Sequence, residues 1–140
     1  MNSTLVVGYD GSDEARAALA YAAEHVDGGR VFIVSAADRV PEYLGAQYYQ
    51  GFVDAAHGRV QALLEDAASQ MPAGVDFVTE LLEGRPAEAI VAVADARDAD
   101  EIVVGSRGLG RVRALLGSVS HEVLHLADRP VVVIPTEKES

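Results

Sequence analysis

The order of apolar runs along the chain predicts an open α/β sheet. Runs without alternation, such as Leu5–Val7, Val31–Val34, Ile102–Val104 and Val131–Ile134, read as strands buried on both faces. Strands and segments of helical spacing alternate five times, which builds βαβ units around a parallel sheet with helices on both faces. The 140 residues suffice for one domain, 1–140, and show no internal repeat or linker.

The elements follow in order. Leu5-Val6-Val7 runs into Gly8-Tyr9-Asp10-Gly11-Ser12, a strand entering a loop. Ser12 or Asp13 caps a helix with Ala15, Ala18, Leu19, Ala22 and Val26 on one face, and Gly28-Gly29 stops it. The second strand extends to about Ala36. Residues 38–52, with Pro41, two glycines, three tyrosines and a phenylalanine, read as a loop with aromatic anchors; a flexible lid or partner contact is the alternative. A helical pattern returns from Val53 through Ala56, Val60, Leu63, Leu64 and Ala67, and ends at Met71-Pro72-Ala73-Gly74. Val75–Leu82 partly alternates, as an edge strand does. Pro86 suits a first helical position ahead of Ala87, Ile90, Val91 and Ala94. The last helix presents Val119, Val123, Leu126 and Ala127, and Arg129-Pro130 leads into the final strand.

Composition narrows the function classes. Twenty-two acidic against eleven basic side chains give a net charge of −11, which repels nucleic acid and anionic membrane surfaces. There is no cysteine, hence no disulfide framework or cysteine-based metal or redox site. No apolar run approaches the ~20 residues of a membrane span, and the start lacks the pattern of a signal peptide, so a cytoplasmic location is expected.

The chemistry concentrates in Ile102–Ser120. A buried strand ends in glycines at 105, 108 and 110, and Gly117-Ser118 opens a helix. Glycines admit close approach to the backbone, and a helix N-terminus carries partial positive charge; together they form an anion cradle, with phosphate the leading candidate. Arg107, Arg111 and Arg113 add cations, while Gly110 reads as a turn residue. The cradle lacks the Gly-Lys-Ser/Thr of a Walker loop, and the first strand lacks G-x-G-x-x-G. At the end of the first strand, Asp10, with Gly8 and Gly11, could accept a hydrogen bond from a base or ribose or help hold a divalent cation, or simply turn the chain and cap a helix. His121-Glu122-Val123-Leu124-His125 matches the zinc-protease pattern H-E-x-x-H, but Asp128 and Val131 stand where the extended motif has Gly and His. No nucleophile–base pair with a third partner stands out, and no base is evident to orient an attacking water.

These residues resemble the universal stress protein family over nearly the whole chain. Its ATP-binding members carry Gly-x2-Gly-x9-Gly-Ser/Thr after the fourth strand, and Gly105-Ser106-Arg107-Gly108 with Gly117-Ser118-Val119-Ser120 is similar to that motif. V-V-G-Y-D-G-S, E-G-R-P-A and the ending R-P-V-V-V-I-P are similar to family patterns too. The resemblance implies a Rossmann-like sheet in the order 3-2-1-4-5 and a role in stress survival. It places Asp10 and Ala36 at the adenosine, Val104 and Gly105 beside the nucleoside, and Gly108, Gly117, Ser118 and Val119 at the phosphates, with Mg²⁺ or Mn²⁺ accompanying them. One departure stands out: eight residues separate Gly108 from Gly117 where the motif has nine, so a slightly tighter loop is expected.

The expectation is therefore a stress-response regulatory protein that binds ATP with little or no hydrolysis. A nucleotide-free homodimeric interaction protein of the same fold is the alternative. For either, the apolar, uncharged Val131–Ile134 at a sheet edge predicts pairing with a second copy across a two-fold axis, and the family commonly dimerises there.

Overall fold

Strand β1 (Thr4–Gly8) shows why the apolar runs do not alternate: Leu5 and Val7 point to one face, Val6 to the other, and all three are buried. The computed structural model describes residues 3–106 and 116–135, apart from the side chain of Leu44. The remaining strands are β2 (Arg30–Ala37), β3 (Asp76–Glu83), β4 (Glu101–Gly105) and β5 (Val131–Ile134). All pairings are parallel, in the order β3-β2-β1-β4-β5. The predicted fold class and strand order are both observed.

Helices α1 (Asp13–His25) and α2 (Ala46–Ser69) cover one face; α3 (Pro86–Ala96) and α4 (Ser118–Leu126) cover the other. Leu19, Val60 and Leu64 close on Leu5, Val7 and Ile33, while Ile90, Val93 and Val123 close on Val6, Phe32 and Ile102. Ser12 caps α1, its hydroxyl accepting the Ala15 N–H at 3.1 Å. Pro86 occupies the first turn of α3, where its missing N–H is not needed.

Residues 38–52 differ from the expected loop. Glu42–Leu44 form a 3-10 turn, Gly45 reverses direction at φ +93°, and α2 starts at Ala46, seven residues before Val53. Three of its four aromatic side chains are not anchors: Tyr43, Tyr48 and Phe52 are exposed, while Tyr49 is half-buried. The first two turns of α2 turn only Tyr49 and Val53 partly inward and bury no residue fully before Ala56, so they carry little core periodicity to read.

Arg129 joins the end of α4 to the rest. Its guanidinium donates to the carbonyls of Ala94 at 2.9 Å and Ala99 at 2.8 Å, and pairs with Asp95 at 2.8 Å. It thus adds a second donor to the Ala94 carbonyl in the last turn of α3, binds the Ala99 carbonyl in the turn that follows, and fixes the chain as it enters β5. Arg129→Met removes these charge-assisted bonds and should lower unfolding stability by about 2–3 kcal/mol in urea titration.

Candidate functional site

In this strand order β1 has β2 on one side and β4 on the other. The chain leaving β1 turns into α1 on one face, and the chain leaving β4 leads to α4 on the opposite face. A crevice is left at the carboxyl ends of β1 and β4, where open α/β sheets bind ligands. It holds a cavity of about 230 Å³.

The residues singled out in the sequence meet there. Gly8 and Asp10 line the cavity from β1, Ala36 from β2, and Val104 and Gly105 from β4. Gly117, Ser118 and Val119 line it from the start of α4. Gly108 lies outside the described residues, as do Gly110, Arg107, Arg111 and Arg113. Other lining residues are not among those singled out as site residues: Tyr9, Ser35 and Ser120 contribute polar groups, while Leu63, Pro86 and Ile90 supply apolar walls.

Two of the buried serines, Ser35 and Ser120, set the geometry. The Ser35 hydroxyl donates to the Tyr9 carbonyl at 2.7 Å, and the Tyr9 N–H donates to Val34 at 2.9 Å, so β1 and β2 end in fixed register. The Ser120 hydroxyl donates to the Ser106 carbonyl at 2.8 Å, joining α4 to the end of β4. A polar residue interrupting V-F-I-V-S-A is the only sequence signal for Ser35; Ser120 has none beyond its place in the first helical turn.

Asp10 turns the chain, as in the plain reading, while Ser12 rather than Asp10 caps α1; room is left for the sharper reading. One carboxylate oxygen accepts the Ser12 N–H at 2.9 Å, turning the chain into α1. The other faces no protein donor among the described residues, and the side chain is exposed at the cavity rim.

The N-terminus of α4 has no side-chain cap. Its first intrahelical bond runs from the His121 N–H to the Gly117 carbonyl at 3.0 Å, so the N–H groups of Ser118, Val119 and Ser120 have no acceptor among the described residues. Three aligned donors and the positive end of a helix dipole thus border the cavity. Gly117 is different: its N–H donates to the Ser106 carbonyl at 2.6 Å, so it offers space rather than a donor.

Gly105 has a structural duty as well. A Cβ there would stand 2.6 Å from the Glu14 Cβ and 3.0 Å from the Glu14 backbone carbon. The bare strand end lets the first turn of α1 seat on it. At Gly8 a Cβ would approach the Ile90 Cδ1 at 2.4 Å, a side-chain end that can rotate away.

Across the cavity, Tyr9 fastens α2 to the site. Its hydroxyl donates to Asp66, which also pairs with Arg16 at 3.3 Å, and Gln70 donates to the Tyr9 oxygen at 2.9 Å. Burial first, then the bond to Asp66, pushes the Tyr9 phenol above its ordinary value of 10.0.

The H-E-x-x-H segment has other commitments. Glu122 takes a two-pronged bond from Arg85, at 3.1 and 2.6 Å, which ties α3 to α4 and holds its carboxyl below the ordinary carboxylate range. His121 and His125 are exposed on α4. Leu126, expected inward, is exposed because α4 ends there and the chain turns away at Ala127. His57 of α2 bonds Glu83 at 2.8 Å.

The sequence pattern of the universal stress protein family matches residues 1–135. The chain belongs to that family. A universal stress protein of Thermus aquaticus is 38% identical over 96% of this chain and 99% of its own length. One from Mycobacterium tuberculosis is 32% identical over 95% and 96%. Among solved structures, a universal stress protein in complex with cAMP aligns at TM-score 0.71 and 29% identity, covering 97% of this chain and 99% of its own. The universal stress protein of Archaeoglobus fulgidus in complex with dAMP aligns at 0.64 and 28%, covering 94% and 97%. The G-x2-G-x8-G-S segment of this universal stress protein therefore sits, as far as it is described, at the switch point of a sheet shared with nucleotide-bound members of its family.

Two substitutions test the packing around the site. Gly105→Ala should cost about 1–3 kcal/mol in urea unfolding, and Gly8→Ala clearly less, because backbone cannot yield as Ile90 can. For Tyr9, a phenol whose folded value is raised stabilises fully below pH 10 and loses that contribution as pH rises through the raised value. Wild-type stability should therefore fall on the alkaline side more steeply than that of Tyr9→Phe.

Proposed function

We propose that this protein is a regulatory module of stress physiology that holds ATP, or another adenine nucleotide, in the cavity at the ends of β1 and β4. The observation that carries the reading is the meeting of Asp10, Ala36, Val104 and Gly105 with the uncapped N-terminus of α4 around one cavity. Its volume, about 230 Å³, is below the ~300–1,000 Å³ of sites that enclose a whole drug-sized ligand. That suits a nucleoside inside and phosphates at the rim. The nucleoside lies between Pro86 and Ile90 on one side and Leu63 on the other, with the free oxygen of Asp10 accepting from a ribose hydroxyl. The phosphates meet the N–H groups of Ser118, Val119 and Ser120, with Gly108 completing the cradle and Gly117 leaving room. The relatives bound to cAMP and dAMP support an adenine ligand.

A divalent cation such as Mg²⁺ or Mn²⁺ fits as a companion of the phosphates rather than as a protein-held metal. Among the described residues no group of three or more His, Cys, Asp or Glu side chains could hold a metal, and Asp10 is the carboxylate at the cavity. The cation would neutralise phosphate charge in an acidic chain. Among the described residues no side chain at the cavity is placed as a general base toward the phosphate end, so binding, with little or no hydrolysis, is the output. No helix among the described residues is long and apolar enough to cross a membrane. The working location in this reading is the cytoplasm.

The module acts as a homodimer through β5. Val131–Ile134 are half-buried on the free edge of the sheet, and Leu124 and Leu126 of the neighbouring α4 are exposed, so an apolar surface waits beside an open strand.

Freshly purified protein should carry an adenine nucleotide detectable by mass spectrometry, and stripped protein should bind ATP–Mg in calorimetry. Gly117→Val should abolish binding by filling the phosphate space, and Asp10→Ala should weaken it about tenfold, the loss of one charge-assisted bond. Neither should change self-association. Stripped wild-type protein without measurable affinity for any adenine nucleotide sinks the reading.

A further inference from the structure

Away from the cavity, the largest exposed aromatic surface lies on one short stretch. Tyr43 is 86% exposed, Tyr48 58% and Phe52 53%, the latter two one turn apart on α2. Arg59, on the same flank as Tyr48 and Phe52, is exposed and has no hydrogen-bond or ion-pair partner among the described residues. The inner face of α2 buries Ala56, Val60, Leu64 and Ala67. At ~100° per residue the opposite face carries Gly51, Ala55, Gly58 and Ala62, all exposed. A Cβ on Gly51 or Gly58 would meet nothing within 4 Å among the described residues, so no packing among them requires these glycines. Each lowers the helix's own stability relative to alanine.

We propose that this outward face of α2 is a self-association surface that pairs antiparallel with α2 of a second copy. Positions 48, 51, 55, 58, 62 and 65 alternate steps of three and four, the spacing of a helix-pair seam. Setting Ala55 of one copy against Gly58 of the other also sets Gly51 against Ala62 and Tyr48 against Glu65. In that register each Phe52 stands beside Arg59 of the second copy, and each Asp54 beside Gln61. The two-fold axis forms every pair twice. One register therefore supplies the exposed aromatic with a cation, Arg59 with an aromatic face, and the small residues between them with a backbone close enough to need their smoothness. A parallel pairing would instead oppose Glu65 to Glu65 and align the two helix dipoles. Because α2 packs on β2 and β3, at the other end of the sheet from β5, this surface is separate from the strand edge. With both in use, dimers join into tetramers or longer assemblies.

The chain contains no cysteine, so introduced thiols report alone. The double variant Gly51→Cys with Ala62→Cys should form covalent dimers under mild oxidation, and each single variant should not. Strand-edge dimerisation alone gives no such cross-link, so this readout stands apart from the β5 proposal and from nucleotide binding. In sedimentation velocity across concentration, Phe52→Glu and Arg59→Glu should each weaken the concentration-dependent step at least tenfold. Gly58→Leu should raise the urea midpoint and yet weaken association, a combination that an internal structural role for Gly58 cannot give. Absence of the cross-link in the double variant, equal cross-linking by the single variants, or association unchanged in all three substitutions would overturn the proposal.

Discussion

The Ser106 carbonyl is where the architecture of the site converges. It accepts the Gly117 N–H and the Ser120 hydroxyl, while the Ser106 N–H donates to the Ile134 carbonyl. One residue therefore binds together the end of β4, the start of α4 and the end of β5. Because Gly117 is held at Ser106, the two ends of the glycine segment are fixed to each other, whatever number of residues runs between them. The orientation of α4, and with it the three uncapped N–H groups facing the cavity, follows from that closure. The interval with eight residues in place of nine, and the tighter loop expected there, lies outside the described residues.

The fold was legible because burial on both faces leaves a plain mark. V-V, V-F-I-V and I-V-V cannot serve a sheet with one wet face, and the helices between them carry ordinary periodicity; V-V-V-I, equally apolar, is only half-buried at the sheet edge. The first turns of α2 were not legible for the opposite reason. From Ala46 to Phe52 only Tyr49 is even half-buried, so no apolar stripe distinguishes the helix from a loop, and glycine and tyrosine there suggest a turn. The strand order came from the family likeness rather than from the residues, since the same alternation of elements permits other orders.

The lining of the cavity was legible where residue types are unusual, at Asp10 and at Gly8, Gly105 and Gly117. It was hidden where ordinary residues do structural work. Ser35 and Ser120 look like incidental polar residues until their hydroxyls are seen joining strand ends and a helix start. Leu63, Pro86 and Ile90 are walls whose role depends on which helices meet over the crevice. Gly105 carries the opposite lesson: a glycine that looks reserved for a ligand is also required by Glu14 of its own chain. Glu122 shows how a motif dissolves in context, its carboxylate being committed to Arg85.

The cavity draws its lining from both helical layers: Leu63 and Ala15 belong to one, Pro86 and Ile90 to the other, and the strands between supply the rest. No subset of the domain contains it. β1, β2, β4 and α4 must all be in register, with contacts reaching from Gly8 to Ser120, before there is anything to occupy. A ligand of this cavity accordingly recognises only the completed chain. At a hundredfold excess over its dissociation constant it would add about 2.7 kcal/mol to the native state alone. If the proposed nucleotide occupies the cavity, occupancy would be a certificate of correct folding, and without it the same molecule would be easier to unfold and degrade.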